Sequence, residues 1–184
     1  MLLNISSKLI DAVDLGDHFS DPTTPYRLLA LLSSQLPAGS LVADLGTREG
    51  DSATALAVNT TVRVVTYDIV VNGESVRLAN LENVQFIQKD CISDVDNYAG
   101  AILISLDLDP HDGIQEQKVL ELLLEKKFRG LLVCDDINPQ WWPEMKEWWD
   151  TIMLKKYDVT FYGHFSGTGI VVFDEQFIDV NITS

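Results

Sequence analysis

The strongest constraint on this chain is a rhythm of short apolar runs, each closed by an acid and separated by stretches with helical spacing. Residues 41–45, 62–67, 84–87, 101–106 and 130–134 read as strands, with Asp44, Asp68, Asp90, Asp107 and Asp135 at or just beyond their carboxyl ends. Helices are expected between them over 52–58, 74–80 and 113–127, the last with Val119, Leu120, Leu122 and Leu123 on its inner side. Runs apolar throughout suit strands buried on both faces, and their alternation with helices implies a mostly parallel, doubly wound α/β sheet of the Rossmann-like kind. In such a sheet the carboxyl ends of the strands form the crevice where ligands bind. Acids scattered along the sequence should therefore converge in space.

The flanks fit the same plan. Helices are expected over 7–13 and 25–36, the second opening with Pro25, carrying Leu28, Leu29, Leu31 and Leu32, and stopped by Pro37-Ala38-Gly39. Residues 1–40 then supply helices that pack on a core formed by 41–184, one domain in all. A helix over 141–154 precedes two strands, 158–162 and 169–173, expected as an antiparallel terminal hairpin. The formal charge of −15 argues against nucleic acid and anionic membranes as partners, because both repel a strongly acidic chain. Cys91 and Cys134 each sit in or beside an apolar run and read as two buried thiols. The first residues have no basic start and no long apolar stretch, so no signal peptide is expected, the sequons at Asn4, Asn59 and Asn181 carry no weight, and the reading is cytoplasmic.

Asp44-x-Gly46-x-x-x-Gly50 follows an expected strand and precedes an expected helix. Glycines there let the backbone turn sharply and approach a ligand closely. A dinucleotide site needs G-x-G-x-x-G and a phosphate loop ends in G-K-[ST]; neither spacing is present, and the loop has no lysine. A loop headed by an acid suits a cationic or hydroxyl-bearing ligand instead. Asp44-Leu45-Gly46-Thr47-Arg48-Glu49-Gly50-Asp51-Ser52 resembles the first motif of class I S-adenosylmethionine-dependent methyltransferases, especially the branch typified by macrocin O-methyltransferase. The resemblance extends loosely over 41–173. It implies that Gly46 and Gly50, with Thr47, Ser52 and Asp44 nearby, hold the amino-acid portion of S-adenosylmethionine. It likewise implies that Asp68 accepts hydrogen bonds from the ribose and that Asp90 and Cys91 lie near the adenine.

The second half carries Asp107-Leu108-Asp109-Pro110-His111-Asp112 and Asp135-Asp136 after neighbouring strands. Carboxylates gathered without lysine or arginine raise one another's pKa unless a cation is present, and hard oxygen donors suit Mg²⁺ or Ca²⁺. In metal-dependent O-methyltransferases of the catechol and macrocin types, an Asp after the fourth strand and an Asp-Asp or Asp-Asn pair after the fifth hold the metal. By that resemblance Asp107 or Asp109, with Asp135 and Asp136, are the candidate ligands, and Asp107 and His111 the candidate catalytic groups. Pro110 departs from the family's Asp-x-Asp-His pattern, which leaves His111 between a catalytic base and a structural hydrogen-bonding role. Asp112 reads as a helix cap, and His164 in the hairpin loop as more often exposed than catalytic. His18 carries no readable signal. Of the tryptophans, Trp148 reads as core, whereas Trp141 and Trp142 could pack, wall an acceptor pocket or form a dimer contact.

The function these expectations favour is O-methyl transfer to a small hydroxylated acceptor, aided by a divalent cation, in a protein that could act as a homodimer. Two other readings stand beside it. One is a non-catalytic S-adenosylmethionine or nucleoside binder of the same fold; the other is a metal-dependent hydrolase built on the Asp107 and Asp135 cluster.

Overall fold

The computed structural model describes residues 1–15, 26–71, 78 and 80–183. Most of the helix expected over 74–80, the residue Pro25 and His18 lie outside the described residues. Seven strands form the main sheet: β2 (Leu41–Leu45), β3 (Arg63–Asp68), β4 (Val84–Gln88), β5 (Leu103–Leu106), β6 (Leu131–Asp135), β7 (Lys155–Asp158) and β8 (Thr168–Val172). Their spatial order is β4-β3-β2-β5-β6-β8-β7. The first five are parallel, whereas β8 runs antiparallel to both β6 and β7. This is the mostly parallel α/β sheet with an antiparallel carboxyl-terminal pair that the sequence rhythm implies.

Strand periodicity divides the core in two. On one face Val42, Val64, Leu103 and Leu131 pack with Leu28 and Leu32 of α2 (Tyr26–Ser34) and Ala53 and Leu56 of α3 (Asp51–Ala57). On the other, Ala43, Val65, Ile104 and Leu132 pack with Val119 and Leu123 of α4 (Ile114–Glu125) and Met145, Trp148 and Trp149 of α5 (Pro143–Thr151). Successive side chains of a strand point to opposite faces, so an unbroken apolar run serves both layers. The chain leaves β2 towards β3 through α3 and returns to β5 on the other side, which makes the gap between β2 and β5 the point where strand order reverses.

Three elements depart from expectation. Residues 2–5 form a strand, β1 (Leu2–Ile5), preceding α1 (Ser7–Asp11) and paired in parallel with β9 (Asp179–Ile182) in a separate two-stranded sheet. Helix α5 begins at Pro143 rather than at 141, because Asn138 first closes a turn, its carbonyl accepting from the Trp141 and Trp142 N–H groups. The strand expected over 158–162 ends at Asp158, whose carboxylate accepts from the Thr160 N–H and hydroxyl. That local capture turns Thr160–Tyr162 into a 3₁₀ turn. Among the described residues no helix is long and apolar enough to cross a membrane.

Candidate active site

The loop after β2 is built for close backbone approach. Gly46 has φ +100°, and a Cβ on it would lie 1.8 Å from the Asp107 carbonyl oxygen, so only glycine lets the β2 and β5 ends meet. The Gly46 and Thr47 N–H groups both donate to the Tyr67 carbonyl at 3.0 Å. Asp68 ties the same loop from the neighbouring strand: its two oxygens accept from the Arg48 N–H at 2.8 Å and the Val70 N–H at 2.9 Å. Beneath the loop, the Thr47 hydroxyl meets that of Thr66, which donates to Asp44 at 2.7 Å. Asp44 is 1% exposed, and burial pushes its carboxyl up to about 7 despite that hydrogen bond.

The acids at the carboxyl ends of β5 and β6 converge as the topology requires. Asp107, His111 and Asp136 place one possible ligand atom each within 4.8 Å of one another, and so do Asp135, Asp136 and His164. Asp136 belongs to both sets. His111 lies between carboxylates, with Nδ1 3.2 Å from Asp136 and 3.7 Å from Asp107, and Nε2 3.1 Å from Asp109. Its ring contacts that of Trp142 at a tilt of 49°, with centroids 4.6 Å apart. Burial, then repulsion from Asp136, pushes the Asp107 carboxyl up to about 6. Burial, then Asp107 and Asp136, raises Asp135 well above the carboxylate range. Tyr26 on α2 faces the same crowding, and burial followed by Asp51 and Asp107 raises its phenol to about 12.

These residues suit a divalent cation. A neutral imidazole has one N–H, yet both ring nitrogens of His111 face carboxylate oxygens, so one contact sets lone pair against lone pair unless a proton or metal ion lies between. Oxygen donors dominate both sets, which suits Mg²⁺, and the imidazoles extend the choice to Mn²⁺. Asp109 belongs to neither set. Its side chain is 90% exposed and meets His111 instead, so of the two acids offered after β5 it is Asp107 that joins a ligand set.

Two cavities open along the strand ends and meet at Gly46, Arg48, Asp107 and His111. One, of about 540 Å³, is lined by Asp68, Asp90, Cys91, Ile92, Ile69 and Leu108 among others. Asp90 there caps the following turn by accepting from the Ile92 N–H, and burial, then Asp90, pushes the Cys91 thiol up to about 12. The other, of about 460 Å³, is lined by Thr47, Ser52, Asp135, Asp136, His164 and Trp141 among others. Asp44 and Gly50 line neither. Asp44 lies below the loop, while Gly50, at φ +87°, precedes α3 with its open side against Leu78.

The hairpin loop contributes more than its sequence suggests. His164 is partly buried, its Nδ1 2.5 Å from the Ser166 hydroxyl and 3.7 Å from Asp135, and burial lowers its pKa. Thr168 pairs with Asp135 across the β6–β8 register and its hydroxyl reaches that carboxylate at 3.4 Å. Sequence reasoning also passed over Tyr26, Glu49, Asp51 and Phe165, all of which line the smaller cavity. Glu49 and Asp51 stand inside the glycine loop motif, a signal that was available; Tyr26 lies on a distant helix and carried none.

No family model matches the sequence, and no curated protein matches it closely enough to count as a relative. Solved structures do resemble it. A cofactor-bound protein from MTB, Rv0187, has 15% identity, covering 91% of this chain and 87% of its own, with a TM-score of 0.61. A candidate caffeoyl-CoA O-methyltransferase from Staphylococcus aureus has 16% identity over 72% of this chain and 75% of its own, with a TM-score of 0.56. An rRNA methylase from Streptococcus thermophilus has 17% identity over 79% of this chain and 90% of its own, with a TM-score of 0.51. The likeness is one of fold: the chain has the Rossmann-like fold of class I methyltransferases.

Proposed function

We propose that this chain transfers a methyl group from S-adenosylmethionine to a hydroxyl oxygen of a small acceptor, with a divalent cation in the acidic cluster. The carrying observation is the junction of two cavities at Gly46 and Asp107, one edged by Asp68 and Asp90 and the other by Asp135 and Asp136. The larger cavity takes the nucleoside. Each Asp68 oxygen accepts one backbone N–H and keeps a lone pair for a ribose hydroxyl, while Asp90 and Cys91 edge the adenine. The bare Gly46 backbone lets donor and acceptor approach across the junction.

The smaller cavity takes the acceptor. Asp107, Asp136 and Asp135 with His164 would hold the cation, whose charge would favour ionisation of the acceptor hydroxyl. His111 faces both cavities and accepts the hydroxyl proton at a ring nitrogen, its ring held by Trp142 and its partner nitrogen by Asp109. The carbon–sulfur bond of the sulfonium breaks as the carbon–oxygen bond forms, leaving S-adenosylhomocysteine. No enzyme nucleophile is required, and alignment supplies most of the acceleration.

Calorimetry with S-adenosylhomocysteine tests the reading first, followed by methyl transfer to a hydroxyl library with and without Mg²⁺ or Mn²⁺. Asp68→Ala is expected to weaken binding about tenfold or more, as loss of hydrogen bonds to a charged group does. Absence of binding by the unmodified protein would overturn the proposal. Binding without transfer to any acceptor would favour a non-catalytic binder.

A further inference from the structure

We infer that Asn138 is a positioning residue of the smaller cavity, joining the chain segment that holds the base to the segment that carries the nitrogen ligand of the cation. This rests on the methyl-transfer reading for the roles of His111 and His164; the joint itself is a matter of hydrogen bonds.

Two segments distant in the chain form part of the wall of the smaller cavity. One follows β6 and brings Asp136, Trp141 and Trp142; the other precedes β8 and brings His164, Phe165 and Ser166. Asn138 is half-buried and lines neither cavity, yet each of its polar groups is committed to the seam between these segments. Its backbone N–H donates to the Ser166 carbonyl at 2.8 Å, and its side-chain amide donates to the Phe165 carbonyl at 3.0 Å. Its side-chain oxygen accepts from the Gln140 N–H at 3.0 Å, and its carbonyl accepts from the Trp141 and Trp142 N–H groups at 3.1 and 3.0 Å. The first pair of bonds crosses the seam; the others shape the turn that leads into α5. The crossing is backbone against backbone. Gly167 has φ +105°, and a Cβ on it would lie 2.4 Å from the Asn138 nitrogen.

The joint gains a role from what lies on either side of it. Phe165 and Ser166, whose carbonyls it pins, directly follow His164, and the Ser166 hydroxyl meets His164 Nδ1. On the other side the ring of Trp142 contacts that of His111, and Trp141 meets Phe165 edge to face across the seam at 5.4 Å. The path from one imidazole to the other thus runs through Trp142, Asn138 and the backbone of residues 164–166. Asn138 helps set the distance between base and cation without lining the cavity that holds them. A misplacement of about 1 Å is enough to matter for proton transfer or ligation. Asparagine suits the place because its amide both donates and accepts. An ionised aspartate only accepts, and alanine does neither.

The test compares Asn138→Ala and Asn138→Asp with the unmodified protein in three measurements: Mn²⁺ titration by electron paramagnetic resonance, calorimetry with S-adenosylhomocysteine, and NMR of the histidine rings without metal. Both variants are expected to bind Mn²⁺ about fivefold or more weakly, as loss of one hydrogen bond allows, and to shift the ring signals of His164 and His111. Affinity for S-adenosylhomocysteine should stay within about twofold, since the joint lies outside the larger cavity. Asn138→Asp gives the sharper result: its added negative charge alone would tighten Mn²⁺ binding, so weaker binding reports lost alignment. Undiminished Mn²⁺ affinity in either variant, or unmoved histidine signals, would overturn the proposal. An equal loss for S-adenosylhomocysteine would overturn it too, because that marks a general loosening of the fold. If the unmodified protein binds no S-adenosylhomocysteine, the methyl-transfer reading fails, while a loss of Mn²⁺ affinity with moved histidine signals keeps the joint. If it binds no Mn²⁺, the cation falls and the histidine signals decide the role of Asn138.

Discussion

At the scale of single residues, the glycine loop and its buried acid make opposite demands on stability. Gly46 is there because the β5 carbonyl occupies the place of its Cβ. Gly46→Ala is therefore expected to lower stability by about 3 kcal/mol, combining a positive φ with a backbone clash, and to weaken S-adenosylhomocysteine binding. An unchanged urea midpoint would refute this. Asp44 behaves differently. Its carboxyl titrates near 7 when folded and near 3.9 when unfolded, so folding takes up a proton between those values. Stability contributed at this position is retained below about pH 4, falls as pH rises towards 7, and stays reduced above. Asp44→Asn keeps an acceptor for Thr66 and removes that slope, with an expected gain of roughly 4 kcal/mol at pH 8 and none near pH 4. Urea denaturation at the two pH values checks it; equal shifts at both would refute the titration argument. The acids were legible in the sequence because strand ends are marked by where apolar runs stop. That His111 would lie between Asp107, Asp109 and Asp136 was not, since it depends on the positive φ of both His111 and Asp136.

At the scale of elements, the strands that read correctly are those whose neighbours repeat the same signal. β2, β3, β5 and β6 are mostly apolar because both faces are covered, and three or four such residues closed by an acid suffice to mark them. β1 gave no comparable signal. Its partner β9 lies at the far end of the chain, and its Leu-Leu-Asn-Ile alternation is too short to separate from a loop. The burial nevertheless resembles a core strand: Leu3 and Ile5 are 1% and 0% exposed and join the cluster that contains α2 and α3. Ile5→Ala is expected to cost about 2–5 kcal/mol, the range for deleting a buried aliphatic side chain. A loss below about 1 kcal/mol would mean the two-stranded sheet is an appendage rather than part of the core. The four tryptophans divide along α5 in the same way. Trp148 and Trp149 pack inward, Trp149 lying on Gly169 of β8, whereas Trp141 precedes the helix and reaches the cleft.

At the scale of the whole molecule, sheet order turns a scattered acidic composition into one local charge problem. Parallel β5 and β6 bring Asp107 and Asp135 to the same edge, and β8, running the other way, starts beside the end of β6 and carries His164 to the same place. A chain of net charge −15 has no composition-level reason to concentrate repulsion there, and the raised carboxyls of Asp107 and Asp135 record what it costs. A divalent cation should therefore stabilise the fold before any acceptor is present. Saturation at a hundred times the dissociation constant corresponds to about 2.7 kcal/mol, and Mg²⁺ or Mn²⁺ at millimolar concentration should raise the melting temperature accordingly. Asp136 is shared by both ligand sets, and its φ of +65° is one that asparagine accepts readily. Asp136→Asn should thus raise the melting temperature of the metal-free protein, by removing a repelling charge, and abolish the metal-dependent rise. Below about pH 6 the rise should fade in the unmodified protein as well, because protons compete for Asp107. Sodium chloride at matched ionic strength separates site binding from screening, which also relieves like-charge repulsion. If it reproduces the whole shift, or if Asp136→Asn keeps the shift, the cluster is an acidic surface and the cation has no place in the mechanism.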